Sequence, residues 1–434
     1  MITPSSSALP ATDIAVCLFS ILLVPFALAG LSLINTGLGR SRSAAHAMMA
    51  SLAVIAAAVI TYFVCGFAWQ GFAGGPSHAL TLGGQAWDWI AAGPFFLRGL
   101  NSGSSAAALT VPLIAWFGMF SVALAAVIPL GSGGDRWRLS ASCASTVLLA
   151  GWTYPLFAHW VWGGGWLARL GISYGLGHGF MDAGGAGAIQ AVGGLTALSI
   201  AWILGPRRGK YAADGVTAAI PGHNAVYILF GCFMALIGWL GLNSAGAILF
   251  TGAGPGRVPL IAMNTALAAG AATLTAALIT RSRFGKPDAS LSANGWVGGL
   301  VASSAVCAFV TPALAVMTGL VAGALVTFSV EWLETKAAVD DPGGSISVHA
   351  VCGIWGLLAV GLFARLPGQW LAQVVGVATL LGCVLPLTYG LNWLLNHFFR
   401  QRVAVEGERQ GMDLHELGAG AYPEFVTHDE FTQW

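Results

Sequence analysis

The chain has 434 residues, 56% of them hydrophobic and only 8% charged, with 18 Lys and Arg against 17 Asp and Glu. Soluble domains carry roughly a quarter charged residues, so a soluble globular fold is excluded. The near-zero net charge comes with no basic tract and gives no sign of a nucleic-acid partner.

Runs of about 20 apolar residues, the length that crosses a bilayer as a helix, predict an all-α polytopic membrane protein with eleven transmembrane helices. They fall near 13–36, 45–72, 105–130, 141–168, 184–204, 222–251, 258–280, 292–310, 313–333, 346–364 and 370–398. The first charge is Asp13, no basic stretch precedes it, and the run Ile14–Ile34 is too long for a signal h-region, so it reads as the first span. Between spans two and three, residues 73–104 hold Asp88 and Arg98 and read as a loop with a short interfacial helix around Trp87–Leu97. Residues 1–398 thus form one membrane domain, followed by a cytoplasmic tail, 399–434. The seven cysteines lie in or beside apolar runs without a CxxC pair or a metal spacing, as small buried hydrophobes do. No nucleophile–base pair, metal cluster or phosphate loop points to an enzyme, and no cofactor is expected.

The basic residues set the topology. Alternating the loops between two sides puts fourteen on one side, Arg136, Arg207 and Arg402 among them, and four on the other: Arg98, Arg169, Arg257 and Arg365. By the positive-inside rule the N-terminus is outside and the tail is cytoplasmic.

One stretch occurs twice. Residues 182–194 read DAGGAGAIQAVGG and residues 341–353 read DPGGSISVHAVCG, both fitting D-x-G-G-x4-[Q/H]-A-V-x-G. The first opens a span running inward and the second a span running outward. That is an inverted repeat of five and five spans, with halves about 13–204 and 222–364 and the long last helix appended. The expected site lies where the halves meet. Gln190 and His349 occupy matched positions about one turn into their spans, where an amide or imidazole costs a few kcal/mol unless paired or facing a polar cavity. Each alone fits a structural hydrogen bond between helices; the matched placement favours a pore lining. Imidazole can take and release a proton near neutral pH, whereas an amide can only hydrogen-bond. Asp182 and Asp341 precede their helices and read as caps of the first turn, with Asp340 at the cytoplasmic surface. Trp160 and Trp162, in AHWVWGGG, sit near the outer end of span four, where an indole face can hold a small cation.

The sequence resembles the ammonium transporter (Amt/Rh) family over nearly its whole length. The motifs run in the family's order: GLGRSRS, DRWRLSA, AHWVWGGG, Asp182-x-Gly-Gly, GPRRGKY, WLGLNSAG, Asn264-Thr265, GKP, TPA, DDPGGSISVHAVCGIWG and the tail RVAVEGERQGMDLHELGAGAY. The resemblance implies eleven spans in a homotrimer, set among membrane lipids, with a separate narrow apolar pore in each protomer. Ammonium is recruited at an outer aromatic vestibule, and two pore histidines lie below a phenylalanine gate. By this likeness Trp162 is the vestibule tryptophan, Asp182 the aspartate near the outer site and His349 the second pore histidine. Phe120 or Phe117 is the gate. The family also implies contacts between the tail and neighbouring protomers and docking of a PII-type regulator, with Glu406, Glu408, Arg409, Asp413 and His415 equally fitting a solvated helix face.

Several positions depart from the family pattern. Gln190 stands where the first pore histidine belongs. Asn243 is kept, but the vestibule serine falls on Gly246, with Ser244 nearby, and Leu242 replaces an aromatic. About eight extra residues separate Trp162 from Asp182. The resulting expectation is transport of ammonium or ammonia with an altered proton path. The alternatives are an ammonium sensor with little throughput, or a channel for another small neutral gas such as carbon dioxide.

Overall fold

The structure, a computed structural model, describes residues 9–100, 106–212, 216–364 and 366–422. Arg365, one of the four basic residues expected outside, and tail residues 423–434 lie outside the described residues. The chain folds into helical rods α1 (Ala11–Leu38), α2 (Ser41–Gln70), α3 (Ala106–Gly133), α4 (139–161), α5 (Ala186–Leu204), α6 (Ala225–Thr251), α7 (Pro255–Phe284), α8 (Ala289–Val306), α9 (Pro312–Thr335), α10 (Ile346–Phe363) and α11 (Gln369–Phe398). Nine helices among the described residues are long and apolar enough to cross a membrane. The other two, α4 and α8, stand at the expected fourth and eighth spans and carry more polar residues, such as Ser142, Ser145 and Thr146 or Asn294, Ser303 and Ser304.

Local chemistry sets the boundaries. Asn224 accepts the Tyr227 N–H at 3.0 Å and starts α6, and Asp288 accepts the Leu291 N–H at 2.7 Å and starts α8. Gly252 and Gly285 end α6 and α7 in the left-handed conformation. Inside the bundle lie Phe117, Leu124, Ile128, Ile189 and Trp239, while Phe19, Leu52, Ile60, Phe233, Leu274 and Leu278 face outward. Outward apolar faces on so many rods are costly in water and matched in hydrocarbon; the chain is a multi-pass membrane protein.

The expected interfacial helix around Trp87–Leu97 is instead a β-hairpin followed by one 3₁₀ turn, Phe95–Leu97. Strands β1 (Ser77–Leu82) and β2 (Gln85–Ala91) pair antiparallel. The connection is Gly83-Gly84, with φ 58° and 77°, a two-residue turn that glycine takes without strain. The hairpin is clasped to the end of α4. His159 Nε2 lies 3.0 Å from Asp88 Oδ1, and the Trp160 indole N–H donates to the Trp89 carbonyl at 2.8 Å.

At the opposite end of the bundle sits the tail. Asp340, expected at the surface, is buried there in an ion-pair network. Arg207 donates to both of its carboxylate oxygens, at 2.9 and 3.0 Å, and to Asp135 at 3.2 Å. The fully buried Arg136 donates to the Asp340 carbonyl at 2.8 Å. Burial pushes the Asp340 carboxyl up, but the hydrogen bonds and charges of Arg207 and Arg136 outweigh it and hold the group below its ordinary value. The tail itself is not a solvated face throughout. Glu408, buried, accepts from Arg402 at 2.8 Å and from the Arg208 backbone at 2.6 Å. Asp413, also buried, accepts the N–H groups of Ala45 and His46 at 3.1 and 2.7 Å, at the start of α2. Glu406, Arg409 and His415 stay exposed.

Candidate functional site

The two copies of the repeated stretch fold alike. Asp182 accepts four backbone N–H groups, from Gly185 and Ala186 at 3.0 and 2.7 Å and from Gly187 and Ala188 at 2.8 and 2.9 Å. Asp341 accepts the Ile346 N–H at 2.8 Å and the Ser132 hydroxyl at 2.6 Å. Each is the cap that its position before a helix predicts. Burial lifts the Asp182 carboxyl to about 6 against the pull of its four N–H donors. The fourth motif residue, Gly185 or Gly344, has φ 92° or 65°, the left-handed turn that lets the chain bend under its aspartate.

Each helix then opens with a π-helical turn, Ala186–Ala191 in α5 and Ile346–Val351 in α10. Such turns re-aim side chains and recur at functional sites. The last motif glycines explain themselves by close approach. A Cβ on Gly194 would lie 2.3 Å from the Ala350 nitrogen, and a Cβ on Gly353 would lie 2.6 Å from the Ala186 carbonyl and 3.3 Å from the Ala191 nitrogen. Ala191 and Ala350 are themselves equivalent motif positions. The two stretches therefore cross reciprocally, each glycine on the other's backbone, as a two-fold relation requires.

At that crossing His349 Nδ1 and Gln190 Oε1 are 2.8 Å apart. The pair forms the interhelical hydrogen bond that each residue alone already fitted. An amide oxygen only accepts, so Nδ1 is the donor in this bond, and in the neutral ring the lone pair then sits on Nε2. Gln190 has no accessible surface, while His349 retains 4%. The Gln190 Nε2 and the Ser347 hydroxyl are buried without a hydrogen-bond partner among the described residues.

Trp162 lies at the hairpin end, where its indole N–H donates to the Asp182 carbonyl at 2.8 Å. Its ring stacks on Phe250 with centroids 4.4 Å apart and planes 5° from parallel. Phe117 completes the cluster edge-on, 5.8 Å from Trp162 and 5.5 Å from Phe250. Phe120 does not join it and pairs with Trp116 at 6.0 Å. Asn243 and Ser244 are buried behind the Asp182 loop: the Asn243 amide donates to Thr265 at 2.9 Å and Ser303 at 3.2 Å, and a Cβ on Gly184 would meet its Oδ1 at 2.3 Å. The structure thus brings Trp162, Asp182 and Phe117 together, joins Gln190 to His349, and leaves Phe120 apart. Phe250 escaped the sequence reading inside an unbroken apolar run. Its spacing of seven from Asn243 is the available signal, since it places both on one face of α6.

A bundle of apolar rods around two capped, π-turned half-motifs defines a polytopic membrane protein. Residues 15–422 match the model of the Ammonium Transporter Family, and the chain belongs to that family. It is 37% identical to the ammonium transporter Amt2 of Archaeoglobus fulgidus, over 93% of this chain and 86% of that one. A likeness of 30% to Amt2 of Haloferax mediterranei spans 94% and 90%. Among solved structures, a protein described as a sensor Amt protein superposes with TM-score 0.83 at 26% identity, covering 93% of this chain and 98% of the other. Candida albicans Mep2 shares the fold, with TM-score 0.80 at 21% identity over 97% and 92%.

Proposed function

We propose that each protomer carries ammonium across the membrane as ammonia, along a narrow route past Gln190 and His349, with the hairpin end outside and the tail in the cytoplasm. The observation that supports this most is the Gln190–His349 bond at the crossing of the two half-motifs. A bare cation is too costly in an apolar bore, so ammonium gives its proton to bulk water outside at the mouth framed by Trp162, Phe117 and the Asp182 loop. The ammonia that enters has N–H groups to donate and meets the His349 Nε2 lone pair. Gln190 cannot hold a proton, so no relay between two rings exists and the proton does not follow by this path. Purified protein in liposomes tests the reading: an ammonium pulse alkalinises the lumen faster than in protein-free liposomes, and equal rates would refute transport.

Sensing is the second reading, favoured by the likeness to the sensor Amt protein. Occupancy would then be read through the tail, whose exposed Glu406, Arg409 and His415 are the groups left for a PII-type regulator. A pulldown with the full chain, in which ammonium changes what the tail retains, separates the two. Assembly as a homotrimer among membrane lipids belongs to the same proposal.

A further inference from the structure

We infer that Phe250 is a self-blocking lid of the outer cation site, a residue that sets how well this chain captures ammonium; the inference rests on the reading that ammonium is recruited at Trp162. A cation binds an indole by its open face, within about 6 Å of the ring centre. Here Phe250 lies on such a face, 4.4 Å away and nearly parallel, a gap that admits no ion between the rings. To place ammonium on that face of Trp162, Phe250 has to leave it.

Of the three clustered side chains, Phe250 is the one that can. Trp162 is 6% exposed and tethered through its N–H to the Asp182 carbonyl. Phe117 is fully buried in the middle of α3. Phe250 is only partly buried, in the last turn of α6, and two residues later the chain turns through left-handed Gly252. Beyond it Gly254 and Gly256 have open space where a Cβ would be. Rotation of Phe250 toward this loop uncovers the indole without moving Trp162. An aromatic stack and a cation on an indole contribute comparable amounts, so the ring competes with the ion on nearly equal terms.

Thermal unfolding of the full-length protein in detergent, titrated with ammonium chloride against sodium chloride, tests this by linkage. Phe250→Ala and the better-packing Phe250→Leu should reach half-maximal stabilisation at roughly three- to tenfold lower ammonium than the wild type. Adding Trp162→Ala to either should abolish the gain. An unchanged or higher midpoint in both Phe250 variants, a gain that survives Trp162→Ala, or no ammonium-specific shift in any of them would overturn the proposal. Because the assay reads binding alone, a chain that binds in this way but fails the liposome assay refutes transport and leaves Phe250's role standing.

Discussion

Gln190 and His349 carry the proposed chemistry at the residue scale, and both are visible in the sequence because one motif displays them twice. Their mutual bond was not visible, because which helix faces which is a matter of packing. The bond predicts a specific gain. In Gln190→His a second titratable ring stands beside the first, so ammonium should drive a current that the wild type lacks; solid-supported membrane recordings of the two proteins check it. Asp182 makes a second prediction. Asp182→Ala leaves four buried N–H groups unpaired, and each such group costs about 1–3 kcal/mol. The variant should unfold at markedly lower temperature or fail to accumulate, and a melting curve like the wild type's would show that the cap is dispensable. Phe250 was illegible for a simple reason. A phenylalanine in an apolar run has no pattern of its own until a partner ring, here 88 positions earlier in the chain, is brought to its face.

Elements were read with uneven success, and the physics of each explains why. Long apolar rods announce themselves by length and hydropathy, so expected and observed helices agree to a few residues. The exception is α4, which stops at residue 161, where Trp162 and the glycines after it break the helix. The stretch expected as a loop with a short interfacial helix is a β-hairpin, and His78-Ala-Leu-Thr-Leu, Gly83-Gly84 and Gln85-Ala-Trp-Asp-Trp form its short-loop signature. In the tail, acidic residues that fit a solvated face prove to be spent on α2 and on Arg402. Glu416 shows how that docking depends on pH. Burial raises its carboxyl, but the His46 hydrogen bond, the Leu139 N–H and Arg138 outweigh this and lower it. A carboxyl lowered by folding stabilises docking above its free value near 4.3, and that contribution is lost as pH falls through the folded value. A fluorophore on a cysteine at Ala419 should therefore gain mobility in acid. In Glu416→Gln it should be mobile already at neutral pH, and unchanged anisotropy in that variant would contradict the docking role.

The whole molecule follows from one symmetry and one charge split. The glycines of the two half-motifs close on each other's backbone, which no single motif could disclose, yet the repetition itself pointed to the meeting of two halves. The basic residues expected in the cytoplasm do converge at one end: Arg40, Arg136, Arg207 and Arg402 share Asp135, Asp340 and Glu408 there. The proposed orientation predicts that a cysteine placed at Gly84 in the hairpin turn reacts with an impermeant maleimide added outside intact cells, whereas one at Ala419 reacts only after lysis. The opposite pattern would invert the protein in the membrane. Native mass spectrometry in mild detergent should show three 44.5 kDa chains together, and a monomer as the sole species would refute the trimer.

The central claim is that a pathway with one titratable residue, His349, passes ammonia without passing the proton. Its most direct test records membrane current and luminal pH together in the same proteoliposomes during an ammonium pulse. The account predicts protein-dependent luminal alkalinisation with no ammonium-driven current; a robust current from the wild-type chain would contradict it.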